Sequence, residues 1–222
     1  MEPESYFRIR FITDSAADMV YDRLLSLLNK DEELPEYFVP GGYSCMISGD
    51  TMKYGLHVDD DELHPLDRDD AVVSLDILCS DIVADQHTGQ DRLKNSFGLV
   101  RRFYEEIDAQ YVFGMHSERI ETIGLSENRN GILSPINEDS LAQNRIVAST
   151  WLMLFPPAMV EEYDREWLLD LPAARIDELD DGAIMIVATT DIFDAESDLE
   201  IANAVGDGLR PLEDAFAEKH RS

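Results

Sequence analysis

The chain has 222 residues, of which 44% are hydrophobic, enough to bury the core of one large domain and too many for a chain disordered throughout. Its 18 basic and 47 acidic residues give a net charge of −29. Neutralising phosphates requires clustered Lys and Arg, so this charge disfavours direct binding to nucleic acid or to an anionic membrane. A cationic partner remains compatible with it.

The basic residues are unevenly distributed between lysine and arginine. Only four of the 18 are lysines, namely Lys30, Lys53, Lys94 and Lys219. Scarce lysine and dense aspartate are typical of a cytoplasm holding molar salt, where the Debye length falls to about 3 Å and repulsion among carboxylates is screened. We therefore expect a salt-adapted surface. The overall charge does not identify a specific acidic binding face, which needs evidence from particular residues.

The N-terminal residues and the two cysteines limit the class of protein further. The start of the chain lacks the basic and apolar regions of a signal peptide, and no window is apolar enough for a membrane span. Cys45 and Cys79 lie in apolar runs without a second pair or a histidine at ligand spacing, so we interpret both as buried hydrophobes. We expect a cytoplasmic protein without a cofactor.

The first predicted unit is a strand followed by a helix. Residues 6–12 alternate apolar and basic side chains, which predicts a half-buried strand. Ser15 and Asp18 resemble a capping box before a helix that extends through Leu28. Residues 37–48 predict one or two short strands. The acid-rich stretch 57–70 shows no apolar periodicity and predicts a loop.

The strand and helix pattern then recurs. The expected elements are a strand at 71–79, a helix at 91–108, a strand at 111–115, a long buried strand at 145–155, a helix at 157–163, and strands at 173–179 and 183–190. Asp180, Asp181 and Gly182 predict a hairpin turn between the last two strands. Helices are expected at 195–205 and 211–219, interrupted by Gly206 and Gly208.

This order predicts a single α+β domain over residues 1–222. We expect a largely antiparallel sheet with helices on one face, built from repeated strand-helix-strand units. The acidic loop at about 57–70 lies within that domain.

Histidines are the first candidates for chemistry. His57 and His64 flank a run of acids, but their spacing fits no zinc or calcium motif, which favours a solvated loop. His116 ends an apolar strand in a position suitable for a base, yet no nucleophile motif accompanies it. We therefore assign no catalytic or metal-ligating residue. A small hydrolase or metal-dependent enzyme centred on His116, or on His57 and His64, is the alternative.

A group of acids surrounds an aromatic residue after the predicted strand at 145–155. Aromatic side chains supply buried area in an interface, and surrounding carboxylates steer the encounter with a basic partner. The candidate partner-binding residues of this segment are Glu161, Glu162, Asp164, Glu166 and Trp167.

The C-terminal third resembles a known family. WLMLFPPAMVEEY at 151–163 and the segment 171–212, with a Gly-bearing hairpin turn, an apolar strand, Phe193-Asp194 and a final helix, resemble the closing part of the immunity protein 52 family and of the related type VI immunity family. The opening strand and helix are also similar. Members often carry Asn and His where this chain has Ser197-Asp198 and Leu199-Glu200.

The resemblance implies a protein that binds and neutralises a cognate toxin, typically a nuclease, without catalysing a reaction. A nuclease presents a basic cleft to its substrate, and an acidic surface can occupy that cleft. A second set of candidate contacts follows near the C-terminal hairpin: Asp191, Asp194, Glu196 and Asp198.

Overall fold

The computed structural model of the chain describes residues 6–30, 36–48, 53–60, 64–66, 70–78, 86–116, 126–127, 132–188 and 204–210. The strands are β1 (Tyr6–Ile12), β2 (Glu36–Gly41), β3 (Ser44–Ser48), β4 (Lys53–Asp60), β5 (Ala71–Leu78), β6 (Tyr111–His116), β7 (Ser126–Glu127), β8 (Leu133–Ser134), β9 (Leu152–Phe155), β10 (Arg175–Glu178) and β11 (Ile184–Val187). The helices are α1 (Ala17–Lys30), α2 (Gln86–Ile107), α3 (Glu138–Ala142), α4 (Pro157–Tyr163), α5 (Arg165–Leu169) and α6 (204–210).

Nine of the strands form one sheet in the order β10-β11-β9-β6-β1-β5-β4-β3-β2. Every neighbouring pair is antiparallel. The first strand of the chain therefore lies in the middle of the sheet, with a β2-to-β5 meander on one side. The remaining strands, β7 and β8, pair separately.

Two apolar clusters lie on opposite faces of this sheet. Phe7, Ile9 and Phe11 point to the face that α1 and α2 cover, and the Phe11 ring lies 6.1 Å from the Phe103 ring of α2. Ile12 belongs to the second cluster, which α4, α5 and α6 cover over β6, β9 and β11. The two long helices thus share one face, and the short ones pack on the other face of one half of the sheet.

The predicted α+β class and the antiparallel sheet are confirmed, but helices cover both faces of the sheet and not one, because residues on both faces of β6, β9 and β11 are apolar. Strand-helix-strand succession recurs among the described elements as β1-α1-β2, β5-α2-β6 and β9-α4-α5-β10. Strand β1 and helix α4 have the predicted bounds, and Gly182 occupies the hairpin turn with a φ of +90°. Cys45 is buried as expected, whereas Cys79 lies outside the described residues.

The loop prediction for 57–70 is wrong for its first residues. Residues 57–60 belong to β4, because Leu56 and Val58 are buried against the core while His57 and Asp59 point to the other face. This is the alternation of a strand, and the dense acids obscure it in the sequence. Residues 64–66 lie outside strands and helices, as predicted.

Two other boundary predictions are also wrong. Residues 145–151 are not part of a strand, because their backbone is held by partners outside the sheet: the Val147 amide donates to the Pro135 carbonyl at 2.7 Å. The predicted capping box is absent, since α1 begins at Ala17 and the Ser15 amide donates to Thr13 Oγ1 at 3.2 Å.

Gly206 and Gly208 do not interrupt a helix, because both lie inside α6. They serve close packing instead. A Cβ atom would lie 2.7 Å from Ser149 Oγ at Gly206 and 2.7 Å from Leu171 Cδ2 at Gly208. Glycine therefore lets α6 approach the segments before β9 and after α5.

Candidate functional site

The five candidate residues of the first acidic segment come together on α4 and α5. Two prolines start α4, with Pro157 at its first position, where the missing amide hydrogen is not needed. Met159, Val160 and Tyr163 bury the inner side of the helix. Glu161 and Glu162 are exposed on its outer side. We call Glu161, Glu162, Asp164, Glu166 and Trp167 the α4–α5 surface.

Tyr163 fixes α4 to the sheet. Its ring packs edge-on against Phe155 of β9 with 5.5 Å between centroids, and its hydroxyl accepts a hydrogen bond from the Ile146 amide at 3.0 Å. These contacts hold α4 on the second core cluster. The α4–α5 surface is therefore presented by a rigid part of the fold.

Asp164 makes the turn between the two helices. It has a φ of 73° and a ψ of 117°, a conformation that few non-glycine residues adopt. Its Oδ1 accepts the amide of Glu166 at 2.9 Å and the amide of Trp167 at 3.4 Å, which caps the first turn of α5. The primary role of Asp164 is therefore to set the direction of α5.

The turn leaves Trp167 outside the core. Leu168 is fully buried, whereas 44% of the Trp167 surface and 36% of the Leu169 surface are exposed. Core packing at Leu168 fixes the rotation of α5, so its neighbours face solvent. Glu161, Glu162 and Glu166 are exposed on the same two helices as Trp167, and their role as partner contacts stays a prediction.

The only basic residue between 157 and 170 is engaged in an ion pair. Arg165 Nε donates to Glu178 Oε1 at 2.7 Å, and a second hydrogen bond joins Arg165 Nη2 to Glu178 Oε2. The hydrogen bond from Arg165 lowers the pKa of the Glu178 carboxyl, and the same bond raises the pKa of the guanidinium. The pair neutralises itself, so the remaining carboxylates give the surface its negative charge.

An open groove of about 540 Å³ runs beside this surface. Its walls come from α4, from the start of α5 and from the β10–β11 turn. The lining residues are Pro157, Val160, Glu161, Asp164, Arg165, Glu166 and Gly182. The turn is tied to α2, because Tyr104 Oη donates to Asp181 Oδ2 at 2.9 Å. The hairpin was predicted from the sequence, but its position next to α4 and α5 was not.

The second set of candidates cannot be placed beside the first. Asp191, Asp194, Glu196 and Asp198 lie outside the described residues. Their role as partner contacts stays a prediction.

The described histidine side chains of the alternative enzyme contact neighbouring residues of the fold. His64 is fully buried, and its Nδ1 accepts the Leu66 amide at 3.0 Å, which holds a turn. His57 Nδ1 lies 3.1 Å from Ser44 Oγ across β3 and β4. His116 ends β6, and its side chain is outside the description. Within the described ranges, no three His, Cys, Asp or Glu side chains are grouped to hold a metal ion.

A polar cluster that the sequence analysis missed lies on the sheet face opposite α1 and α2. Arg8 donates to both carboxylate oxygens of Asp76, at 2.7 and 2.8 Å, one strand away from the Ser44–His57 contact. The β1–β5 register opposes Arg8 to Asp76, 68 positions apart in the chain. Only the alternating arginines of β1 signalled a polar face there. The observed contacts satisfy these groups within the sheet.

The architecture defines a class: an α+β protein built on one nine-stranded antiparallel sheet, with an acidic surface around an exposed tryptophan. No protein-family model, curated protein or solved structure matches the chain. None of the helices that the structure describes is long and apolar enough to cross a bilayer.

Proposed function

We propose that this protein binds a basic protein partner through the α4–α5 surface and catalyses no reaction itself. The observation that carries the proposal is Trp167, which is exposed to 44% on the same pair of helices as the exposed Glu161, Glu162 and Glu166, while Arg165 is engaged by Glu178. Burial of an exposed tryptophan in a partner costs the folded protein little free energy. Tryptophan is also among the residues that contribute most to interface affinity.

The partner that best fits the proposal is a cognate toxin of the nuclease type, neutralised in the cytoplasm as an immunity protein does. This part rests on the resemblance of 151–163 and 171–212 to immunity families. A nuclease has a basic cleft for phosphates, which a rigid acidic surface can fill. In molar salt, steering beyond a few ångströms is screened, so affinity depends on Trp167 and on close ion pairs.

The test pairs this chain with the toxin domain encoded beside its gene. Co-expression is expected to rescue growth, and calorimetry is expected to give a one-to-one complex. Trp167→Ala should weaken that complex at least tenfold, the usual loss at an interface hot spot. Met19→Ala is the matched control, because Met19 is an exposed apolar residue on α1, remote in sequence from the surface; it should change affinity less than twofold.

The proposal fails if no neighbouring gene product is neutralised or bound. Binding that both variants leave unchanged would move the interface away from the α4–α5 surface. Stoichiometric zinc or manganese in the purified protein, with turnover that one histidine substitution abolishes, would instead support the alternative enzyme.

A further inference from the structure

The groove beside the α4–α5 surface has both apolar and acidic residues in its lining. Pro157 is exposed and supplies apolar surface on one side, next to the buried Val160. On the other side lies Gly182, where a Cβ atom would have no neighbour within 4 Å, so the turn leaves open space. Two acidic residues, Glu161 of α4 and Glu166 of α5, also line the groove. This arrangement suits a side chain with an apolar stem and a cationic head.

Two of the charged groups around the groove are already committed. Asp164 Oδ1 accepts two backbone amides, and Arg165 is paired with Glu178. The carboxylates of Glu161 and Glu166 have no hydrogen bond or ion pair among the described residues, and both residues are exposed. They are therefore the carboxylates that a partner's cation can engage without breaking an existing contact.

We propose, on the basis of the function proposed above, that this groove receives one arginine side chain of the partner. A guanidinium is flat and weakly hydrated, so it can lie against the exposed Pro157 ring at a small desolvation cost. Its five N–H donors can reach carboxylates on two helices at once. A lysine ammonium is strongly hydrated and concentrates its charge at one point, so the same groove favours it less.

The test uses N-acetyl-L-arginine amide as the probe, with N-acetyl-L-lysine amide and N-acetylglycine amide for comparison. Backbone amide shifts are followed by NMR at one fixed KCl concentration. The arginine compound should give saturable shifts at 160–166 and at Gly182, at millimolar concentration. The lysine compound should bind several-fold more weakly, and the glycine compound should give no saturation.

Matched variants separate a specific groove from diffuse charge. Glu161→Gln should weaken arginine binding at least fivefold, whereas Glu162→Gln removes the same charge from the same helix outside the groove and should change it less than twofold. Glu166→Gln and Asp170→Asn form a second such pair on α5 and its C-cap. Equal weakening within each pair, or no saturation with the arginine compound, would overturn the inference.

The experiments distinguish a failure of this inference from a failure of the proposed function. If the toxin domain binds and Trp167→Ala weakens it, while Glu161→Gln and Glu162→Gln act alike, only the arginine groove is wrong. If no toxin domain binds but the arginine compound saturates with the expected variant pattern, the groove stands and the partner assigned to it does not.

Discussion

Tyr111 is the largest side chain that the described core buries completely, and its hydroxyl has no hydrogen-bond partner among the described residues. Its ring stacks with Phe113 at 6.0 Å and meets Phe155 edge-on, so the aromatic body is well packed. Burial raises the pKa of this phenol well above its usual value, and the neighbouring Tyr163 adds to the effect. The hydroxyl is thus a polar group that folding removes from water without compensation.

Tyr111→Phe is therefore expected to raise the free energy of unfolding by about 1 kcal/mol, because the variant no longer desolvates an unpaired hydroxyl. Tyr163→Phe is the control. It should lower stability by about 1 kcal/mol or more, since the buried Ile146 amide would lose its acceptor. Urea unfolding of both variants measures the difference, and a destabilised Tyr111→Phe protein would show that the hydroxyl has a partner.

One buried thiol and several buried phenol groups predict that the protein is less stable at high pH. Desolvation raises the pKa of the Cys45 thiol to about 11, and burial also raises the pKa values of Tyr54, Tyr104 and Tyr111. The unfolded chain releases these protons at a lower pH than the folded one. The unfolded state therefore binds fewer protons, and stability should fall as the pH rises above about 9.

Urea unfolding between pH 7 and pH 11 tests this expectation. The gain from Tyr111→Phe should grow over that range, because the variant removes one of the raised groups. A free energy of unfolding that stays constant up to pH 11 would contradict the burial of these groups.

Helices and strands that are determined by nearby residues can be predicted from the sequence. Those whose bounds depend on contacts distant in the chain cannot. The alternation of Phe7, Ile9 and Phe11 is a local signal, and β1 has the predicted bounds. The short extent of β9 is not a local property, because residues 145–151 are apolar enough for a strand and bond elsewhere only in the folded chain. The α4–α5 surface was found from composition, whereas its groove needed the position of the β10–β11 turn.

The role of a glycine within a helix is likewise not predictable from its neighbours in the sequence. Gly206 and Gly98 both lie within helices, and their sequence neighbourhoods do not distinguish them. A Cβ at Gly98 would have no neighbour within 4 Å, whereas one at Gly206 would lie 2.7 Å from Ser149 Oγ. The different function of the two residues exists only in the packed structure.

Alanine at these two positions should accordingly have opposite effects. Gly98→Ala is expected to raise the free energy of unfolding by about 0.5–1 kcal/mol, because alanine loses less backbone entropy in a helix. Gly206→Ala should lower it, since the Ser149 hydroxyl has to move away from a position 2.7 Å from the new Cβ atom. Thermal and urea unfolding compare the variants, and an equal gain in both would mean that α6 packs less closely than described.

At the scale of the whole molecule, a net charge of −29 is distributed over the surface of a fold built on one nine-stranded sheet. Some of the few arginines form ion pairs with single carboxylates, as in Arg8–Asp76 and Arg165–Glu178. The edge strands limit pairing with other chains, since β2 contains Pro40 and β10 carries Arg175, Asp177 and Glu178. Repulsion among the excess carboxylates favours expansion, and salt screens it.

Stability should therefore rise steeply with KCl at pH 7. Between 0.1 and 2 M KCl the Debye length shortens from about 10 Å to less than 3 Å, which removes most of the repulsion between exposed carboxylates. We expect the melting temperature to increase by at least 10 °C over this range at pH 7, and by much less near pH 4.2, the isoelectric point of the sequence, where the net charge is close to zero. Sucrose of equal osmolality controls for solute exclusion and should reproduce only a minor part of the increase. A melting temperature that responds equally to KCl and to sucrose would mean that the acidic surface does not destabilise the fold, and the salt-adaptation proposal would fall with it.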